Sequence, residues 1–348
     1  MDTRQFEERK REHIRLALDP ANQASGQSGL DRFQLDHDSL PELDFNEVSL
    51  QDVSLGRPIA TPFYVAGMTA GHPDAPKLNR ELALACAERG WGMGVGSQRR
   101  DIEGLPGGNL DQWKLIRDEA PGIELFANLG LSQLIGVPVE AVRELVENLG
   151  GRALAIHLNA LQEVMQPEGT PSFKGGVEAI RRLVEQMDVP VLLKETGCGF
   201  SRRTLSRLKD IRISAIDVSG LGGTHWGRIE GARATGIRQE AARTFENWGV
   251  STLDSVVNTR EVLPSVETWA SGGVRTGLDA AKLIALGARR VGFARPALEA
   301  ALEGPQSLRT WMELREYELK VALFCTGCRT PEELRRRYDG ARERFIRT

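Results

Sequence analysis

Short apolar runs alternate with helical patterns from about residue 59 onward, and this alternation constrains the fold more than any other feature of the chain. It predicts parallel strands, because parallel neighbours in a sheet are joined by crossover helices. The predicted strands are residues 59–68, 92–97, 124–129, 153–159, 189–195, 215–219, 268–272 and 290–294. The predicted helices are residues 75–89, 110–119, 139–148, 176–187, 202–209, 252–262 and 278–286. Eight strands in this pattern predict an α/β fold of the (β/α)8 TIM-barrel type.

A doubly wound open sheet is the main alternative to the barrel. That fold usually carries a G-x-G-x-x-G motif after its first strand. The corresponding position here reads Gly67-Met68-Thr69-Ala70-Gly71, which lacks this spacing. The barrel is therefore favoured.

The chain is predicted to divide into three regions. An N-terminal extension (1–58) contains a charged helix over residues 4–18, the barrel spans 59–304, and C-terminal helices (305–348) pack on its outside. Within the last region, helices are predicted over 307–320 and 331–347. The long connection 221–250 is rich in Gly, Arg and Trp, and we expect it to form a mobile lid.

Composition and charge exclude several classes of partner. The 348 residues are 41% hydrophobic with a net charge of −3, as in an ordinary soluble protein. We expect neither nucleic acid nor a membrane surface as partner, so an anionic ligand would need local donors. No run approaches the roughly 20 apolar residues of a membrane span, and the charged N-terminus lacks a signal-peptide core, which predicts a cytoplasmic protein.

Four cysteines in this length do not form a disulfide framework. Cys325 and Cys328 have C-x-x-C spacing, but a tetrahedral zinc site would need two more ligands, and neither a second such pair nor a Cys/His pair follows. A structural role is favoured, with a labile disulfide as the alternative.

The carboxyl ends of the predicted strands are polar or glycine-rich. Ligands of a TIM barrel bind at these ends, where residues distant in sequence converge. In order, the ends read Met68-Thr69, Ser97-Gln98-Arg99, Asn128, His157-Leu158-Asn159, Lys194-Glu195, Ser219, Gly272-Gly273 and Ala294-Arg295. A single polar strand end would be explained as a cap of that strand. Eight polar or glycine-rich ends at the same edge of the barrel predict a binding site. The densest stretch is His157 to Glu163, which holds an imidazole, two amides and a carboxylate within seven residues.

The loops after the last two strands predict a phosphate site. Ser271-Gly272-Gly273-Val274-Arg275-Thr276-Gly277 precedes a helix, and Ala294-Arg295 follows the last strand. Such loops often bind phosphate through backbone N–H groups, and glycine permits close approach. A glycine turn with a helix cap is the alternative, but the match of both loops favours phosphate.

Lys194 is predicted to face into the barrel. Adjacent residues of a strand point to opposite faces, so pairing of Lys194 with the side chain of Glu195 is disfavoured. A lysine in this position could form a Schiff base or lie beside an electron-rich cofactor ring. Thr69, Ser97 and Asn128 can bond the edge of a planar heterocycle, although each alone more often caps a strand.

These residues together resemble the type 2 isopentenyl diphosphate isomerases, over nearly the whole chain. The motifs that carry the resemblance are Arg9-Lys10-x-x-His13, Gly67-Met68-Thr69, Gly94-Val95-Gly96-Ser97-Gln98-Arg99, Ala127-Asn128-Leu129-Gly130, His157-Leu158-Asn159 with Gln162-Glu163, Lys194-Glu195-Thr196-Gly197-x-Gly199, Asp217-Val218-Ser219-Gly220-x-Gly222-Gly223-Thr224 and the Ser271 to Gly277 loop. The resemblance implies a barrel that interconverts isopentenyl and dimethylallyl diphosphate with reduced FMN, Mg²⁺ and a nicotinamide reductant such as NADPH.

The resemblance also implies a set of site residues. FMN would contact Met68, Thr69, Ala70, Ser97, Asn128, Lys194, Ser219 and Thr224, with its phosphate on Gly272, Gly273, Val274, Ala294 and Arg295. Ala70 departs from the family, which often has a second glycine there. The substrate would meet Arg9, Lys10, His13, Ser97, Gln98, Arg99, His157, Asn159 and Gln162, and Glu163 would hold Mg²⁺. The catalytic assignment is Gln162, Lys194 and His157.

The mechanistic hypothesis is that the reduced flavin mediates proton transfer while Lys194 tunes the ring, since no protein acid–base pair is evident at the apolar end. A homo-oligomer, as a tetramer or octamer, is expected. Whether the N-terminal helix serves its own or a neighbouring site is left open.

Three alternatives use other chemistry. An FMN-dependent 2-hydroxy-acid oxidoreductase needs a base, but Leu221 occupies the position where that family has histidine, and His225 lies four residues later. An inosinate dehydrogenase-like barrel needs a nucleophilic cysteine, and the surroundings of Cys198 do not match. A non-catalytic flavin- or diphosphate-binding module stays open.

Overall fold

The computed structural model describes residues 12–68, 75–104 and 110–339. The strands are β1 (Asp52–Ser54), β2 (Arg57–Ile59), β3 (Phe63–Val65), β4 (Gly92–Gly94), β5 (Glu124–Gly130), β6 (Ala153–Leu158), β7 (Val191–Glu195), β8 (Ala215–Asp217), β9 (Glu267–Ala270) and β10 (Arg290–Phe293). Strands β3 to β10 are parallel and close into a barrel in sequence order, with β10 paired to β3. The predicted (β/α)8 barrel is thereby confirmed.

Helices surround the barrel and also contribute to its carboxyl-terminal end. They are α1 (12–18), α2 (Ala75–Arg89), α3 (Arg99–Ile102), α4 (Leu110–Glu119), α5 (Leu131–Leu134), α6 (Val139–Leu149), α7 (Ala160–Met165), α8 (Gly176–Gln186), α9 (Arg202–Ser206), α10 (Trp226–Arg233), α11 (Ile237–Thr244), α12 (Thr252–Val262), α13 (Gly277–Ala285), α14 (Arg295–Glu303), α15 (Pro305–Phe324) and α16 (Pro331–Tyr338). In the part of the chain that the structure describes, no helix is both long enough and apolar enough to span a membrane.

The core has two layers, because barrel strands have one face inside and one outside. Tyr64, Phe126 and Trp269 pack together inside the barrel, with Trp269 5.3 Å from the Tyr64 ring and 5.1 Å from the Phe126 ring. The larger cluster lies between the outer strand faces and the helices. Burial on both faces explains why the strands are almost continuously apolar in sequence.

The periodic elements agree closely with their sequence predictions. Helices α2, α4 and α12 begin and end at the predicted residues, and most barrel strands end one or more residues before the predicted carboxyl end. The strands shorten there because polar residues leave the ladder and form the loops of the site. The predicted helix 4–18 is described from residue 12, and the part of 331–347 beyond residue 339 lies outside the described residues.

The connection 221–250 requires a correction. It was predicted as a long connection without helices of its own, but it contains α10 and α11. The side chain of His225 caps α10 by accepting a hydrogen bond from the Arg228 N–H. The glycines of this segment concealed the helical pattern, because α10 keeps Gly227 and Gly231 at buried positions where larger residues would collide with neighbours. Mobility of the segment stays a prediction.

The hairpin β1–β2 was not predicted and closes the amino-terminal end of the barrel. Glu267, the first residue of β9, accepts hydrogen bonds from Ser54 Oγ at 2.8 Å and from the Leu55 N–H at 2.6 Å. Arg290, the first residue of β10, donates to Ser54 Oγ at 3.1 Å. Strands of three residues carry too little periodicity to be recognised in sequence.

The cysteines are free thiols. Cys325 caps the end of α15, and its carbonyl accepts from the Asp38 N–H at 2.7 Å. Cys328 is buried, and burial raises the pKa of its thiol. The structural role predicted for the C-x-x-C pair agrees with these contacts.

Candidate active site

A cavity of about 340 Å³ lies at the carboxyl ends of the barrel strands. Its walls come from several strand ends and from α1, α10, α14 and α15. The predicted site residues that line it are His13, Met68, Lys194, Ser219, Thr224, Gly272, Gly273, Val274, Ala294 and Arg295. The barrel therefore brings together side chains and backbone groups that are separated by up to most of the chain length.

The loop after β9 forms one wall through its backbone. Gly272 and Gly273 have φ angles of +98° and +76°, which L side chains rarely adopt. A Cβ on Gly272 would lie 2.2 Å from the Gly220 carbonyl oxygen, and one on Gly273 would lie 2.5 Å from the Gly222 carbonyl oxygen. Only glycine allows this backbone-to-backbone packing, which leaves the loop open to a ligand at close range.

The helix α14 begins at the same wall. Ala294 is its N-terminal cap and provides no side-chain hydrogen bond to the first turn. Arg295 lines the cavity and donates from Nη2 to the Leu18 carbonyl at 2.9 Å, which ties the end of α1 to this wall. The first turn of α14 and the glycine loop together have the chemistry of a phosphate cradle.

Lys194 faces the cavity from β7, as its strand position indicates. Its Nζ lies 3.4 Å from Asp217 Oδ2, and Asp217 also accepts from Tyr64 Oη at 2.5 Å and from Ser271 Oγ at 2.7 Å. Burial, followed by the charge of Asp217, raises the pKa of Tyr64. This buried network holds Lys194 Nζ in the lining of the cavity.

The carboxylate of Glu195 binds backbone N–H groups of the loop after β7 and does not pair with Lys194. It accepts hydrogen bonds from the backbone N–H groups of Thr196 and Cys198, at 2.6 and 2.5 Å. Burial raises the pKa of Glu195 to about 7. Lys194 contacts only the carbonyl of this residue, at 3.0 Å, so the alternative of a Lys194–Glu195 side-chain pair is not found.

A second group of predicted residues lies beside the cavity rather than in its lining. Asn128 Oδ1 lies 2.9 Å from His157 Nδ1, and its backbone N–H donates to Gln98 Oε1 at 3.1 Å. Ser97 also lies outside the cavity lining. Arg99 is on the surface of α3, where it pairs with Glu103 at 2.8 Å.

The remaining residues of the stretch from His157 to Glu163 form an amide–carboxylate corner. Asn159 Nδ2 donates to Glu163 Oε1 at 2.9 Å and to Gln162 Oε1 at 3.2 Å, and the Thr170 N–H donates to Glu163 Oε2 at 2.6 Å. Asn159 Oδ1 is buried without a hydrogen-bond partner in the described structure. Within that part of the chain, no three His, Cys, Asp or Glu side chains cluster as a metal site.

A residue absent from the sequence prediction joins the N-terminal helix to this corner. Glu230 is fully buried on α10, and its Oε1 lies 3.0 Å from His13 Nε2 and accepts from Gln162 Nε2 at 3.0 Å. Its Oε2 accepts from Arg233 Nη1 at 2.6 Å. Glu230 was missed because it lies in the connection 221–250, for which no helix was predicted. Arg228, Glu230 and Arg233 lie two and three residues apart, and this spacing indicated a helix with a buried carboxylate only weakly.

Other cavity residues were also missed. Lining residues that were not selected as site residues include Ile14, Ala17, Gln23, Thr196, Trp226, Arg275, Leu298, Trp311 and Arg315. Arg275 lies within the recognised glycine motif, so its loop position could have been read from sequence. The predicted residues Arg9, Lys10, Thr69 and Ala70 lie outside the described residues.

Leu221 occupies the position where an FMN-dependent 2-hydroxy-acid oxidoreductase would have its histidine base. Leu221 is buried and does not line the cavity. His225 is fully buried, with Nε2 3.0 Å from the Trp248 carbonyl, and burial lowers its pKa. Of the described residues that line the cavity, His13 is the only histidine.

A closed (β/α)8 barrel with this glycine loop at its carboxyl end belongs to the class of flavin barrels. Residues 131–339 match the family described as FMN-dependent dehydrogenase. A solved structure of mandelate oxidase with (S)-2-phenylpropionate is 20% identical, with a TM-score of 0.64 over 96% of each chain. A flavocytochrome b2 variant is 17% identical, with a TM-score of 0.66 over 94% of this chain and 80% of that chain. These two likenesses show the shared fold.

Relatives of higher identity define the family within that class. An isopentenyl-diphosphate delta-isomerase of Legionella pneumophila (strain Paris) is 51% identical over 95% of this chain and 97% of the relative. Proteins of the same name from Bdellovibrio bacteriovorus and Archaeoglobus fulgidus are 47% and 39% identical, over 95% and 94% of this chain and 96% and 93% of the relatives. The chain belongs to the type 2 isopentenyl-diphosphate delta-isomerase family, an enzyme family, as its motifs indicated.

Proposed function

We propose that this protein interconverts isopentenyl and dimethylallyl diphosphate in isoprenoid biosynthesis, with FMN reduced by NADPH and with Mg²⁺. The observation that carries the proposal is one cavity that combines a glycine phosphate cradle with an inward lysine and offers no base at the hydroxy-acid oxidase position. Family membership supports the same reaction.

The residues present fit FMN. The cradle that a Cβ would fill suits its phosphate, on Gly272, Gly273, Val274, Ala294 and Arg295. Met68, Lys194, Ser219 and Thr224 line the cavity and would contact the ring. Ser97 and Asn128 lie beside the cavity lining, Thr69 and Ala70 lie outside the described residues, and their contacts with FMN are proposed from the resemblance alone. When bound and reduced, FMN supplies an electron-rich ring that can exchange a proton with the reacting carbons.

The protein side chains hold charge and exclude water around that ring. Lys194, held by Asp217, would place a positive charge beside a bound reduced ring and would stabilise negative charge on it. Ile14, Ala17 and Trp226 give the cavity an apolar wall suited to a hydrocarbon chain. Gln162 is oriented by Glu230 and Asn159 and is proposed to contact the substrate together with His157.

The residues at the corner also fit a cation. Mg²⁺ is commonly held by one or two protein oxygens while substrate phosphates and water complete the octahedron. The carboxylate of Glu163 has only neutral hydrogen-bond donors in the interactions described above, and the orphaned Asn159 Oδ1 lies in the same corner. Both would face the diphosphate that Arg9, Lys10, His13, Gln98 and Arg99 are proposed to bind.

The reaction can be tested directly on the full chain. Purified protein should carry or take up FMN, and with NADPH and Mg²⁺ under anaerobic conditions it should convert isopentenyl diphosphate to dimethylallyl diphosphate. Lactate and mandelate, assayed for oxidation with the same preparation, should be inert. Failure to bind FMN, or turnover of a hydroxy acid without isomerisation, would refute the proposal.

The metal assignment has its own test. We expect Glu163→Gln to lower kcat/KM by about 10²-fold or more and to raise the Mg²⁺ concentration for half-maximal activity, because a neutral amide binds Mg²⁺ poorly. A magnesium titration of steady-state rates measures both effects. Glu178→Gln, an exposed carboxylate on α8, is the matched control. An unchanged magnesium dependence in Glu163→Gln would remove the assignment.

A homo-oligomer, as a tetramer or octamer, is also proposed. Leu314, Tyr317 and Val321 lie three and four residues apart on α15 and are 47%, 56% and 38% exposed, which gives this helix an uncovered apolar stripe. Light scattering should give a mass of four or eight 38.3 kDa chains, and a monomeric mass would contradict it.

A further inference from the structure

The cavity continues beyond the glycine cradle to α14 and α15, where Leu298, Glu299, Trp311 and Arg315 line it. Arg315 is unusual among these residues, since a guanidinium is rarely buried without a defined task. It is only 9% exposed and lines the same cavity as Gly273 and Val274. The strand-and-loop pattern of the barrel gave no reason to select a residue on α15.

Arg315 directly contacts the glycine loop 272–277 that follows β9. Its Nη1 donates to the Arg275 carbonyl at 2.6 Å, and its guanidinium lies over the Trp311 ring at 5.6 Å from the centroid. Its Nε forms an ion pair with Glu318 at 3.1 Å. The guanidinium is thus held between the helix on one side and the loop on the other.

The same helix turn holds the other end of the loop segment. The Gly277 N–H donates to Glu318 Oε2 at 2.5 Å, and a Cβ on Gly277 would lie 2.4 Å from the Arg315 carbonyl oxygen. Residues 275 and 277 are therefore both in contact with α15, which links the loop that carries Gly272 and Gly273 to this helix.

The local charge is suited to an anion. Arg275, Arg295 and Arg315 all line the cavity next to the cradle. Arg295 pairs with Glu299 at 2.9 Å and Arg315 with Glu318, so each of these two cations is partly compensated. Arg275 donates to the Gly273 and Gly222 carbonyls at 3.1 and 3.2 Å. Three guanidinium groups against the two carboxylates of Glu299 and Glu318 leave an excess of positive charge at this end of the cavity, in a chain of net charge −3.

We propose that Arg315 is a positioning residue for the phosphate end of the flavin, which fixes the loop 272–277 and makes the site select a phosphorylated flavin over riboflavin. This inference rests on the proposed FMN function. It assigns to a helix outside the strand–loop repeat a share in cofactor selection.

The test compares FMN with riboflavin, which differs only by the phosphate. Arg315→Met keeps the packing on Trp311 but removes the charge and the donor to Arg275. Quenching of flavin fluorescence by flavin-free full-length protein gives the dissociation constant of each ligand. In Arg315→Met we expect FMN to bind at least about tenfold more weakly, because the loop loses the charge-assisted hydrogen bond from Arg315 to the Arg275 carbonyl. Riboflavin has no phosphate to place on this loop and should bind within about twofold of wild type.

Two further variants make the result specific. Arg315→Lys keeps the charge and should recover part of the FMN affinity, whereas a purely steric role for the side chain would not favour lysine over methionine. Arg309 lies on α15 like Arg315 but pairs at the surface with Glu88 of α2, so Arg309→Met should leave both affinities unchanged. Thermal unfolding of each variant establishes that it folds, and Arg315→Lys carries the test if Arg315→Met does not.

Equal weakening of FMN and riboflavin, or no effect on either, would overturn the inference. Wild-type protein that binds FMN while Arg315→Met does so equally well removes only the role of Arg315. Wild-type protein that binds no flavin removes the proposed function itself.

Discussion

The carboxylate of Glu230 is shared by side chains from three helices that are far apart in sequence. His13 reaches it from α1, Gln162 from α7 and Arg233 from its own helix α10. Burial acts to raise the pKa of Glu230, but the hydrogen bonds of His13 and Gln162 and the charges of His13 and Arg233 outweigh it and lower the pKa to about 2. The residue therefore fixes a proposed substrate contact through a charge that is kept at neutral pH.

The pKa of Glu230 gives the pH dependence a defined sign. Because the folded-state pKa is below the ordinary 4.5, the ionised carboxylate stabilises the fold above pH 4.5, and this stabilisation is lost as the pH falls toward 2. We expect Glu230→Gln to cost about 2–3 kcal/mol at pH 7 and less at pH 3.5, measured by urea unfolding. Glu240→Gln, exposed on α11, should be neutral, and a loss independent of pH would contradict the prediction.

The glycine loop between β9 and α13 is the element whose local sequence determines most of its geometry. Ser271 anchors its start on Asp217, and Thr276 caps α13 by accepting from the Asp279 N–H at 3.0 Å while Asp279 accepts from the Thr276 N–H. This capping box and the two glycines lie within nine residues, so the motif could be recognised in sequence. The contacts of Arg315 and Glu318 on α15 with this loop could not be recognised in sequence.

Gly272→Ala should separate packing from backbone strain. The added methyl would meet the Gly220 carbonyl at 2.2 Å with φ at +98°, so we expect a loss of about 2–4 kcal/mol in unfolding free energy and weaker FMN binding. Gly26→Ala is matched in φ, at +80°, but has open space around the new methyl, and should cost only about 1 kcal/mol. Equal losses in the two variants would show that the close approach has no energetic role.

The two ends of the barrel have different roles, one in ligand binding and one in stability. The carboxyl end holds the cavity, whereas the amino end is closed by the hairpin β1–β2 and by Arg290. Arg290 is fully buried, pairs with Glu124 at 2.7 Å and lies 5.3 and 5.1 Å from the Phe126 and Trp269 ring centroids. Polar residues at the amino end of a TIM barrel serve stability, so this cluster and the site should respond to mutation separately.

Arg290→Met tests that separation. Loss of a buried guanidinium that joins the hairpin to two strands should lower the unfolding free energy by about 3 kcal/mol, because its partners lose their hydrogen bonds. The FMN dissociation constant should stay within about twofold of wild type, since the barrel separates this cluster from the cavity. Denaturant unfolding and flavin titration measure the two quantities. A large change in flavin affinity with unchanged stability would contradict this division.

The sequence by itself determined the eight barrel strands and the seven helices between them, the ends of α2, α4 and α12, and the glycine loop, because strand and helix periods and glycine conformations are properties of neighbouring residues. It also placed polar groups at the strand ends. Tertiary structure alone decided that Glu230 meets His13 and Gln162, that Arg315 reaches the glycine loop and that Arg290 meets the hairpin. These contacts join segments distant in sequence, and they exist only when the barrel closes and its helices pack, which no local pattern encodes.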